Sequence, residues 1–74
     1  MHVMRMLSAN GDTVIHEWDE TTTEDRLAEI EAEFDALVKR GYAPFLIEEG
    51  LQKKINRFDP EAREILFLAP VIGG

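Results

Sequence analysis

Glu64-Ile65-Leu66-Phe67-Leu68-Ala69, followed by Pro70-Val71-Ile72-Gly73-Gly74, holds the most continuous apolar run in the chain. Four consecutive large hydrophobic residues with no helical spacing predict a strand over Glu64 to Ala69, buried on both faces in the middle of a sheet. Pro70 has no amide hydrogen to give a neighbouring strand, so pairing is expected to stop there. Beyond it, Val71 and Ile72 are two apolar β-branched residues placed where folding offers them no cover.

The segment before this strand supplies its entry. Asp59-Pro60-Glu61-Ala62 reads as a start signal, with Asp59 as cap and Pro60 at the first helical position, but with room for only one turn. Further upstream, Phe45-Leu46-Ile47 is a strand candidate, Gly50 marks a turn, and Lys53 to Phe58 reads as the return strand of a hairpin. The charges of that return strand predict an exposed edge.

At the amino end, His2 to Leu7 and Thr13 to Trp18 are short β-type runs around Asn10-Gly11, whose tolerance of positive φ makes a tight hairpin turn. Period-two reading places Met4 with Met6 on one face and Val14 with His16 and Trp18 on one face. A helix follows from about Thr23 to Arg40. Thr21 with Glu24 matches a capping box, and Thr23 is the competing cap. Leu27, Ile30, Phe34, Leu37 and Val38 recur at spacings of three and four, which gives one apolar stripe to cover a sheet. Glu29, Glu31, Glu33 and Asp35 fall mainly on the remaining surface, and Gly41 suits the left-handed position that ends the helix.

Seventy-four residues allow one domain, with 45% hydrophobic and 31% charged residues. Residues 1–69 are read as a folded domain and 70–74 as a flexible Gly-Gly tail. No cysteine is present, so this chain supplies no disulfide and no nucleophilic thiol. The formal charge of −7 opposes nucleic-acid binding and favours a partner with a basic surface. No run of about 20 apolar residues predicts a membrane span, and no signal peptide is read, so a cytoplasmic location is expected. His2 and His16 are too few for a transition-metal site, and none is expected. Glu48 and Glu49 are adjacent carboxylates that point to opposite faces in a strand, which makes a solvated turn the better reading than an acid/base pair. Trp18 reads as a core or core-edge residue.

A hairpin, a long helix, two shorter strands, one turn and a last central strand together resemble the ubiquitin-like β-grasp proteins. The resemblance implies an α+β fold, a mixed sheet of four to five strands with one helix packed across it. Phe67-Leu68-Ala69-Pro70-Val71-Ile72-Gly73-Gly74 is similar to the ends of the sulfur carriers of molybdopterin and thiamine synthesis. Those carriers usually have a Gly-Asp-Glu turn before the last strand, where this chain has Pro60-Glu61-Ala62-Arg63-Glu64, and a double proline is common where Ala69-Pro70 stands. The departures leave room for bacterial ubiquitin-like modifiers encoded beside activating enzymes and isopeptidases.

The resemblance implies that Gly74 is the residue of covalent attachment and that Pro70, Val71, Ile72 and Gly73 form a partner-binding tail. It implies no enzyme activity and no bound cofactor in this chain. ATP and Mg²⁺ would be used by a partner activating enzyme, with a transfer enzyme, an isopeptidase or a cofactor synthase as further partners. Three functions follow: a protein modifier, a sulfur carrier bearing a C-terminal thiocarboxylate, and a non-covalent assembly protein. Extended, residues 70–74 reach roughly 16 Å at about 3.3 Å per residue, enough to enter a channel whose mouth stops the globular body.

Overall fold

The computed structural model describes residues 1–70. Its elements are β1 (His2–Ser8), β2 (Gly11–Trp18), α1 (Glu24–Lys39), β3 (Ala43–Glu48), β4 (Leu51–Lys54) and β5 (Glu64–Leu68). The strands form one sheet in the order β2-β1-β5-β3-β4. Strand β5 runs parallel to β1 and antiparallel to β3, so the last strand is central, as its apolar run predicts. With one helix across a five-strand mixed sheet, this is the α+β, β-grasp-like arrangement.

The first hairpin turns at Ala9-Asn10, and only Gly11 takes a positive φ, of 108°. Asn10 does not, contrary to the tight-turn expectation. Register between β1 and β2 shifts after the Met4–His16 pair, where Arg5 lies opposite Val14 and Ile15 has no partner of its own. This extra residue is a β-bulge, which reverses the faces on either side of it. His16 and Trp18 therefore face the helix side with Met4, whereas Val14 is turned away and 53% exposed. The shared face expected for Val14, His16 and Trp18 is corrected accordingly.

Thr23 is the N-cap of α1, its hydroxyl accepting the Arg26 amide at 3.2 Å. Thr21 instead bonds Asp19. At the far end, Gly41 (φ 96°) donates to Val38 and Tyr42 donates to Leu37, the paired bonds of a Schellman ending that satisfy the last carbonyls. Ile30, Phe34 and Leu37 are buried and Leu27 is partly so. Val38, at the margin of the stripe, is exposed.

Two expected boundaries move. Glu49 and Gly50 both have positive φ, 49° and 79°, and join β3 to β4 in a two-residue turn. The return strand thus begins at Leu51 and ends at Lys54, rather than spanning 53–58. Asp59 to Ala62 is a turn without helix: the Asp59 carboxylate accepts the Glu61 amide at 2.9 Å, and its carbonyl accepts that of Ala62 at 3.0 Å.

The core lies between α1 and one sheet face, around Met4, Ile30, Phe34, Ile65 and Phe67, all fully buried. Phe34 meets Phe67 edge-on at 5.2 Å, Phe58 contacts both Phe34 and Trp18, and His2 stacks on Trp18 at 5.4 Å. This aromatic series ties sheet, helix and the loop before β5 together, with the fully buried Phe34 and Phe67 each contributing about 1.5–3 kcal/mol by burial. Strand β5 is covered on one side only. Ile65 and Phe67 lie under the helix, while Leu66 and Leu68 are half-buried on the other face. The expected burial of both faces is corrected, because one helix covers one face.

Candidate functional site

The site foreseen in the sequence is the exit of the chain from β5. Leu68 pairs with Leu7 on one side and Ala43 on the other. Ala69 donates its amide to the Leu7 carbonyl at 3.2 Å, which is one ladder-type bond past the strand. Pro70 then has no amide to continue the ladder, and its ring is exposed. The antiparallel register of β3 against β5 brings the end of α1 to the same place. A Cβ at Gly41 would stand 3.6 Å from the Pro70 Cβ, so the helix ending flanks the exit. Arg40 lies 5.8 Å from the centroid of the Tyr42 ring beside it. Of the expected tail, Val71, Ile72, Gly73 and the attachment residue Gly74 lie outside the described residues.

The sheet face that carries no helix begins at this exit. Leu7, Leu68 and Ala43 form one cross-strand row, and Val14, Arg5, Leu66 and Phe45 form the next. Leu7 is 44% exposed. Arg5 stands among these apolar groups and pairs with both Asp12 and Glu64. Its hydrogen bond holds the Asp12 carboxyl below the ordinary aspartate range, opposed by desolvation and aided least by its charge. Residue-by-residue reading missed this surface. The available signal was the parity of β5: Leu66 and Leu68 alternate with Ile65 and Phe67, and a chain with a single helix leaves one set without cover.

The remaining residues singled out in the sequence are held apart. His2 Nδ1 lies 2.7 Å from the Ala62 carbonyl oxygen, where its N–H donates. His16 Nε2 is 2.9 Å from Glu33 Oε1, and Arg26 reaches His16 Nδ1 at 3.2 Å. These contacts staple β2 to the helix. Trp18 is 4% exposed and donates to the Pro60 carbonyl at 2.9 Å, a core-edge position as expected. Glu48 and Glu49 are exposed at the β3–β4 turn. Glu29, Glu31, Glu33 and Asp35 are exposed on α1. Among the described residues, no three His, Asp or Glu side chains converge in a way that could hold a metal ion, and no helix is long and apolar enough to cross a membrane.

No protein-family model, curated protein or solved structure matches the chain.

Proposed function

We propose that this protein is a ubiquitin-like modifier, activated and transferred through the carboxylate of Gly74. One observation carries the reading: the central strand β5, parallel to β1, delivers the chain past Ala69 and Pro70 beside an uncovered apolar sheet face, and the sequence then continues Val71-Ile72-Gly73-Gly74. The Gly74 carboxylate, free as encoded or after processing, attacks the α-phosphate of ATP in a partner enzyme and displaces pyrophosphate. A partner thiol then displaces AMP to give a thioester, and an amine of the target displaces that thiolate to give an amide. The chain itself contributes reach and shape. Glycine at the last two positions lets the backbone enter a site too narrow for a side chain, and Val71 and Ile72 fit an apolar groove on the partner.

The test is intact mass spectrometry of the mature protein after incubation with ATP, Mg²⁺ and a cognate adenylating enzyme. An adenylate or thioester at Gly74, followed by an amide on a target lysine, is the expected result. A thiocarboxylate that passes sulfur to a small acceptor makes the protein a sulfur carrier instead. Undiminished function in a variant lacking Gly73 and Gly74 overturns both covalent readings and leaves a non-covalent assembly protein.

A further inference from the structure

We propose that the outer edge of β4 is a docking strand for an extended acidic segment of a partner protein, with β3 standing between it and the strand that leads to Pro70. Strand β4 is the last in the sheet order and all four of its residues are exposed. Its ladder with β3 fixes which backbone groups face outward. Ile55 donates to the Pro44 carbonyl at 3.2 Å, in register with the Phe45–Lys54 pair. In an antiparallel ladder alternate residues bond inward, so Leu51, Lys53 and Ile55 turn to β3. Gln52 and Lys54 are left with amide and carbonyl directed outward. These are the groups an added strand uses.

Charge determines the occupant. Residues 51–57 carry Lys53, Lys54 and Arg57 and no acid, while all fifteen carboxylates of this chain of formal charge −7 lie elsewhere. Among the described residues none of these three cations has an ion-pair partner, whereas Arg5 and Arg26 do. Beside the edge lies a shallow, open depression of about 440 Å³ lined by Lys53, Lys54, Arg57 and Phe58, with Asp59 as its single acidic side chain.

Lysines at a sheet edge also oppose pairing with a second copy of the same edge. A strand of opposite charge meets no such repulsion. The opposite edge, β2, carries Asp12 and Glu17, is bulged at Ile15 and is stapled to the helix through His16. Of the two edges, β4 is the shorter, at four residues, and the basic one. Glu48 and Glu49 at the turn repel acid from one end, so the partner's carboxylates meet the end bearing Lys53, Lys54 and Arg57.

The experiment is an amide NMR titration of the full chain with a ten-residue peptide alternating threonine and glutamate, against one alternating threonine and lysine. The acidic peptide is expected to shift the Gln52 and Lys54 amides and slow their hydrogen exchange more than those of Leu51 and Lys53. The double substitution Lys53→Glu with Lys54→Glu should weaken binding about tenfold, a loss corresponding to two reversed rim charges, while unchanged Met4 and Phe67 amide shifts show that the fold is kept. A variant lacking Gly73 and Gly74 should bind equally well, which separates this surface from the tail. Absence of shifts at Gln52 and Lys54 at millimolar peptide, equal binding of the two peptides, shifts centred on β2, or tighter binding of oligothymidylate would each overturn the proposal.

Discussion

Trp18 Nε1 donates to the Pro60 carbonyl oxygen at 2.9 Å, linking the end of β2 to the loop before β5 across 42 residues of chain. The indole also touches His2 and Phe58. Trp18→Phe keeps a ring in place but leaves a carbonyl without its donor, at an expected cost of about 1–2 kcal/mol. Trp18→Ala removes the ring as well and should cost about 3–5 kcal/mol, enough to unfold much of the population of so small a domain. Guanidinium denaturation followed by circular dichroism measures both.

The helix has one cap among three consecutive threonines. Thr23→Ala is expected to destabilise by about 1 kcal/mol, because the Arg26 amide loses its acceptor. Thr21→Ala removes only the exposed hydroxyl bond to Asp19 and keeps the one its backbone amide donates, so it should stay within about 0.5 kcal/mol. Urea midpoints for the two variants order the caps, and equal losses would contradict the assignment.

Acid should weaken the fold through Arg5 and Asp12. Folding lowers the Asp12 pKa, chiefly by the hydrogen bond from Arg5, so the unfolded chain binds that proton more tightly. The resulting stability is fully present above the ordinary aspartate pKa and disappears as pH falls through the lower, folded value. Asp12→Asn removes the titrating group. Wild type and variant should therefore differ at neutral pH and converge in strong acid, as read from thermal midpoints across a pH series. A gap that is constant with pH would show that the ion pair contributes nothing through titration.

The uncovered sheet face supplies a graded test of partner engagement. Leu7→Ser lies in the row adjoining the exit and, under the proposed function, should weaken the complex with an adenylating partner as measured by calorimetry. Val14→Ser, on the same face but one row further and in the outer strand β2, should weaken it less. Both residues are about half exposed, so both variants are expected to fold with losses of about 1 kcal/mol or less.

The helix and the central strand were legible because their signals are local and redundant: the stripe from Leu27 to Leu37, the glycine ending, and the unbroken run from Ile65 to Leu68. What escaped the sequence depends on counting residues across strands. Ile15 is one residue too many opposite β1, and no period-two pattern exposes an insertion whose effect is to turn Val14 outward. Glu49 at positive φ is an uncommon choice for a two-residue turn, so the sequence pattern points to Lys53 rather than Leu51 as the start of β4. Of the candidate site, the approach through Ala69 and Pro70 was anticipated, but the apolar rows beside it follow from pairing partners that only the register defines.

The parallel pairing of β1 with β5 also fixes how the domain meets mechanical load. Tension applied between His2 and Pro70 pulls these adjacent strands lengthwise past one another, so the bonds from Val3–Glu64 to Leu7–Leu68 are sheared together instead of being peeled one at a time. Forced unfolding is governed by the barrier to that concerted rupture. A protein tethered at its carboxyl end and pulled from its amino end would resist through the middle of its sheet, with the β3–β4 hairpin outside the line of force.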